Sequence, residues 1–353
     1  MILSKEFRWE NNKIIKVRFI EVKDEEKTMR EKVEYYAKQW EEFVNIKFEF
    51  IDSGDADIRI GFVSGESQSV IGKGALSNTD QTKTNMNFGS FNSTTPEEEY
   101  SSIVLHEFGH ALGFRHEHQS PLAHVPWDKP KVLDYFMNEL SFCGKAMSKE
   151  ECEKHIIDNT LKVYSPSEVN YSQFDPSSIM CYKIPAKITN GNFSTPNNTT
   201  LSELDKMYAS IFYPKKQETI ALKVHNGKYV QALNGGGSYL VIKGDVDHIG
   251  SWETFEMTSF GNNKVAFKAC NGKYWCAEKG GHDFITIEGS ENIRSWETFE
   301  FIDLGNDKFA LKSIRGYYVM PENWAGFGGD LLMATGDGNN PPADWKIFTK
   351  IKV

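Results

Sequence analysis

The chain has 353 residues, of which 39 % are hydrophobic and 13 % aromatic, and it carries a formal net charge of −9. That length predicts two domains, and the apolar content with dispersed charges of both signs excludes disorder. An acidic average without clustered Lys and Arg excludes a phosphate-binding face, so no nucleic-acid partner is expected. No apolar run reaches the roughly 18 residues that cross a bilayer, and the opening "MILSKEFRWENNK" lacks the basic-then-apolar order of a secretory leader; the chain reads as leaderless or already processed, with no transmembrane segment.

In chain order, "KIIKVRFI" (13–20) predicts a strand. The next segment, 25–44, predicts a helix with Met29, Val33, Tyr36, Ala37, Trp40 and Phe43 on one apolar stripe. Short β-rich runs follow at 46–50, 56–62 and 84–91. This alternation points to an α+β domain, a mixed sheet with helices against it. A further helix is expected from Thr95 as N-cap, with Pro96 at the first helical position and Glu98 completing a capping box. Tyr100, Ile103, Val104, Phe108, Ala111 and Leu112 supply its buried face, and Gly113 ends it through the left-handed conformation.

That helix runs into "HEFGHALGFRHEH" (106–118), which holds four of the nine histidines of the chain. His106 and His110 lie four residues apart, so both imidazoles project from one helix face and suit two corners of a Zn²⁺ tetrahedron. Glu107, between them, can reach a water on the metal as general base. Gly113 lets the chain turn back, so that His116 supplies a third nitrogen. One Zn²⁺ per chain is expected. His118 and His124 have no such spacing, and read as surface groups or supports beside the metal.

After "IFYPKKQE" (211–218) the texture changes to short strands broken by "NG", "GGG" and "GN" turns. Three units share a W-x-x-F core built on Trp252, Trp296 and Trp345, each preceded by a hairpin such as "ALKVHNGKYVQA". The division expected is 1–214, a linker at 215–218, and 219–353 as an all-β trefoil in which the three tryptophans fill the centre. Trp324 and Phe327, in "ENWAGFGG", read either as a ligand surface or as an ordinary loop. Cys143 and Cys152 either pair in an oxidising compartment or remain thiols.

The motif at 106–116, followed directly by Glu117, resembles the zinc site of the astacin-like branch of the metzincin metalloproteases, and "SSIMCY" (177–182) resembles that family's Met-turn. The resemblance covers roughly residues 5–214. It implies an α+β metzincin-type protease domain that hydrolyses peptide bonds, with Met180 as an apolar floor beneath the zinc. Tyr182 would ligate the metal or stabilise the transition state, and Glu117 would anchor a processed N-terminus, a role that a start at Met1 puts in question. An extended peptide would add to the strand carrying Asn85, Met86, Asn87 and Phe88. Cys181 stands where many astacins have histidine, and reads as a buried structural thiol or a regulatory metal-binding one. The residues after Glu117 lack the charged positions of animal astacins, so their preference for acidic residues after the cut bond is not carried over. The tripled "GKY" and "WETF" phrases resemble fascin-like trefoil modules. The expectation is an extracellular zinc endopeptidase acting on protein or peptide substrates, its trefoil directing it to a glycan or protein surface. The rival is a binding protein acting through the trefoil, with an inert or structural zinc domain; three histidines leave a coordination position open, which favours the enzyme. No oligomeric state follows from the sequence.

Overall fold

The computed structural model describes every residue except 21–22, 24–25, 141–146, 192, 237–238, 244–248, 261–262, 288–292, 294, 323–329 and 339–341. Two compact units divide the chain, Met1–Tyr213 and Pro214–Val353.

The first unit contains, in order, β1 (Ile2–Ser4), β2 (Ile14–Phe19), α1 (Lys27–Gln39), β3 (Lys47–Phe50), β4 (Ile58–Gly61), β5 (Ser67–Ser69), β6 (Met86–Phe88), α2 (Glu97–Ala111), β7 (Phe114–Arg115), α3 (Lys129–Asp134), α4 (Lys149–Ile156), β8 (Val169–Tyr171) and α5 (Glu203–Phe212). Its main sheet has the order β3-β2-β4-β6-β5, parallel except for β5. The crossover through α1 is what allows β2 and β3 to lie parallel. Along β2, Ile15 and Val17 are buried while Ile14 and Lys16 face water, the alternation of a sheet with one covered face.

The α1 stripe packs as the periodicity predicts: Val33, Tyr36 and Ala37 are buried, Met29 and Phe43 lie against the core, and Trp40 opens a short 3-10 turn. Val104, Phe108, Ala111 and Leu112 of the second helical segment enter the same core, where Phe108 meets Phe48 edge-on at 5.0 Å. Its start differs from the expectation. Pro96 is the N-cap and Glu97 the first helical residue, because Thr95 Oγ1 turns back to accept from the Asn92 amide at 2.9 Å. Glu98 therefore closes no capping box; three consecutive glutamates in the first turn complement the helix dipole instead.

The strand expected to receive substrate is also displaced. Residues 86–88 form β6, an interior strand, and β5 covers its free edge with the register Gln68 opposite Asn87. Met86 and Phe88 are buried in the core. Asn85 donates to the Asp57 and Ala75 carbonyls, and Asn87 donates to those of Val63 and Glu66. These four residues hold neighbouring loops together, and the open edge belongs to Ser67–Ser69.

A second sheet of three short strands places β1 between β7 and β8, with Leu3 opposite Phe114. It clamps the chain just beyond Gly113.

Among its described residues the second unit is all-β, with strands from Lys216–Val224 to Phe348–Lys352, ten of them joined in one sheet. Residues 216–218 of the expected linker belong to its first strand. In the three W-x-x-F units the phenylalanines Phe255, Phe299 and Phe348 are the buried members, whereas Trp252, Trp296 and Trp345 are 43 %, 42 % and 51 % exposed. The expectation for the tryptophans was wrong for a geometric reason. They sit on the turn that precedes each strand, three residues ahead of the inward-facing position, and Trp296 and Trp345 occupy 3-10 turns. Trp324 and Phe327 lie outside the described residues. Cys152 is disulfide-bonded, Cys181, Cys270 and Cys276 are free thiols, and Cys143 lies outside the described residues.

Candidate metal centre

The helix α2 carries His106 and His110 on adjacent turns of one face. It stops because Gly113 takes φ 99°, with its amide donating to the His110 carbonyl at 2.8 Å. A side chain at that φ is strained, so glycine is what permits the reversal. The following strand β7 is held against β1, and His116 returns toward the helix.

The ligand nitrogens of His106, His110 and His116 all lie within 4.8 Å of one another. His106 Nδ1 donates to the Ile179 carbonyl at 2.9 Å, and His110 Nδ1 donates to the Phe114 carbonyl at 2.8 Å. Since a carbonyl can only accept, both Nδ1 atoms carry the proton and both Nε2 atoms present lone pairs inward. The Asn159 backbone lies beside the His116 ring. His110 Nε2 and His116 Nε2 stand 3.0 Å apart. Two lone pairs at that distance repel unless a cation lies between them, and nitrogens at Zn–N distances of about 2.0–2.1 Å in a tetrahedron are separated by about 3.3 Å. Burial pushes the pKa of all three rings down, which keeps them neutral and able to bind metal. The donor set fits Zn²⁺.

Glu107 is buried, and its Oε2 has no hydrogen-bond partner. Desolvation pushes its carboxyl up to about 8. An unpartnered buried carboxyl is costly.

The floor is built by the turn at 177–182. The Met180 side chain is fully buried, and a Cβ on Gly109 would fall 2.3 Å from its Sδ, so the helix rests directly on the thioether. Gly109→Ala is expected to cost on the order of 1–3 kcal/mol through overpacking, read as a lowered thermal midpoint. An unchanged midpoint would contradict this contact.

Asp205, at the start of α5, was not singled out in the sequence. It is fully buried, accepting from Ser178 Oγ at 2.6 Å and from the Ile179 amide at 2.7 Å. The carbonyl of the same residue accepts from His106, so Asp205 fastens the turn that sets a candidate ligand. The "SELD" capping box that starts α5 is a local signal that went unread, and its link to residue 179 has no local signal at all.

Glu117 is buried; one carboxylate oxygen stands 2.7 Å from the Met1 amino group, and the other accepts from the Asp175 amide at 2.9 Å. The ring of Tyr182 lies 4.1 Å from that of His116, and burial raises its phenol. His118 is buried with its ring 4.7 Å from that of Tyr182, a support and not a surface group. His124 is exposed. The thiol of Cys181 is pushed up to about 12 by burial and stays outside the histidine cluster, as a structural thiol would.

Above these groups opens a cavity of about 660 Å³, walled by the edge segment 65–69 on one side and by Arg115, Gln119 and Tyr164 on another.

The family model described as Matrixin, peptidase M10, matches residues 8–131. The structure of myroilysin is 37 % identical over 61 % of this chain and 100 % of its own, with a TM-score of 0.56. A second crystal structure of myroilysin is 36 % identical over 60 % of this chain and 87 % of its own, with a TM-score of 0.46. High choriolytic enzyme 1, a hatching enzyme zinc-protease from the medaka fish Oryzias latipes, is 16 % identical over 60 % of this chain and 97 % of its own, with a TM-score of 0.41. No curated protein matches the sequence.

Proposed function

This chain belongs to the metzincin zinc metalloproteases, and from that premise we propose that it is an astacin-like endopeptidase whose His106, His110 and His116 hold one Zn²⁺. The observation that carries this reading is the convergence of three imidazoles beside the unpartnered Glu107. When bound, Zn²⁺ supplies Lewis acidity that makes a water a strong nucleophile near neutral pH. Glu107 takes the proton of that water and delivers it to the leaving amine. The Tyr182 hydroxyl donates to the oxyanion that develops on the scissile carbonyl. An extended peptide pairs with the open edge of Ser67–Ser69, whose unused backbone groups accept a further strand. The place of Glu117, directly after the third histidine, supports the astacin-like branch.

Tyr182→Phe should lower kcat by roughly one to two orders of magnitude, with wild-type zinc content, as loss of one oxyanion donor does. Loss of zinc in that variant would instead make the tyrosine a ligand. The reading as a whole is tested by cleavage of casein, abolished by a chelator and restored by added zinc; cleavage indifferent to the chelator would overturn it.

For the second unit we propose a fascin-like trefoil of three repeats that directs the enzyme to a glycan or protein surface. The equivalence of buried Phe255, Phe299 and Phe348 and of exposed Trp252, Trp296 and Trp345 supports it, because aromatic faces open to water are suited to contact. An extracellular destination is supported by the disulfide at Cys152, which an oxidising compartment preserves.

A further inference from the structure

The cleft contains a carboxylate that the proposed chemistry leaves unused. Glu66 stands immediately before the edge strand Ser67–Ser69 and lines the same cavity as Glu107, Tyr182 and His155. Its backbone is fixed, the carbonyl accepting from Asn87 Nδ2 at 2.9 Å. Burial raises its carboxyl above the usual range, the His155 imidazole acts in the opposite direction, and the Glu66 charge in turn raises the Tyr182 phenol. The carboxylate therefore belongs to the wall of the same cleft as the Tyr182 phenol and Glu107.

Among the described residues Glu66 enters no ion pair. The arginine and lysine of the cavity wall are Arg115 and Lys183. Arg115 is committed elsewhere, donating to the Tyr164 hydroxyl at 2.9 Å and lying over the rings of Tyr164 and Phe7. Lys183 is exposed and forms no bridge to Glu66. An exposed carboxylate on the cleft wall, bridged to no lysine or arginine, is open to a cation that arrives with the ligand.

We propose, resting on the reading of this cleft as a peptidase site, that Glu66 is a specificity-determining residue that pairs with a lysine or arginine side chain of the substrate within two residues of the scissile bond. Extended peptide on the edge strand advances about 3.3 Å per residue, so only positions next to the cut bond come within reach of a side chain at residue 66.

The test uses the zinc-loaded full chain and one peptide frame in which each position flanking the cut is lysine, norleucine or glutamate. Wild type should cleave the best lysine peptide about tenfold faster, in kcat/KM, than its norleucine counterpart. Glu66→Gln should bring that ratio near one without changing cleavage of the norleucine peptide, and Glu66→Lys should favour glutamate at the same position. The charge reversal guards against a merely structural effect. Equal lysine-to-norleucine ratios in wild type and Glu66→Gln would overturn the assignment of Glu66 and leave the peptidase reading intact. Failure of wild type to cleave any peptide of the set would overturn both.

Discussion

Glu107→Gln is expected to retain a full complement of zinc while losing proteolysis by a factor of about 10³ or more in kcat. Glutamine keeps the shape of the side chain but has no basic oxygen, so the proton of the attacking water has no acceptor and the leaving amine no donor. The ligands are untouched, because Glu107 stands outside the three-nitrogen cluster. The zinc-free protein should respond in the opposite sense. The folded carboxyl, raised to about 8, exceeds its ordinary value of 4.5, so ionisation of Glu107 weakens the apo fold progressively as pH rises between those values. Glu107→Gln removes that group, and apo Glu107→Gln should melt above apo wild type at pH 7, the difference vanishing near pH 4. Metal content by atomic absorption, peptide turnover and melting curves at the two pH values check the three parts. Wild-type turnover in this variant would remove Glu107 from the chemistry.

The second large effect is on His116→Ala, which should lose both zinc and activity. Two donors remain on α2, on one helix face, but the third corner of the tetrahedron is then empty and the affinity falls by orders of magnitude. In wild type, saturating zinc stabilises the fold by RT ln(1 + [Zn²⁺]/Kd), and a chelator should lower the melting temperature by several degrees. In His116→Ala the chelator should shift nothing. The contrast with Glu107→Gln separates metal holding from proton transfer, since one variant is dead with metal and the other dead without it. A His116→Ala protein that bound zinc as tightly as wild type would show that the reversal at Gly113 does not serve the metal.

The site was legible where the chemistry is local. His106 and His110 are tied by helical periodicity and His116 by a glycine that only a turn explains, so their convergence follows from spacing alone. The α1 stripe and strands near 14–19, 47–50, 58–61 and 86–88 were legible for the same reason. The open edge of the main sheet was not. Ser67–Ser69 has no apolar member and no alternation, so nothing in it reads as a strand, and its place follows from pairing with β6. Asp205 was missed because its partners lie 26 and 27 residues away, where only folding brings them together. The tryptophans of the second unit misled because a repeated aromatic marks an equivalent position without saying which side of the surface that position faces; the phenylalanines three residues later took the interior. Thr95 lost the cap to its neighbour when its hydroxyl found the closer Asn92 amide.

The most direct measurement of the central claim is zinc K-edge X-ray absorption on the metal-loaded protein, with the bound metal counted by mass. The account predicts one zinc per chain, three imidazole nitrogens at about 2.0–2.1 Å and at least one further light-atom ligand from water. A spectrum with sulfur in the coordination sphere, or with fewer than three imidazoles, would contradict it.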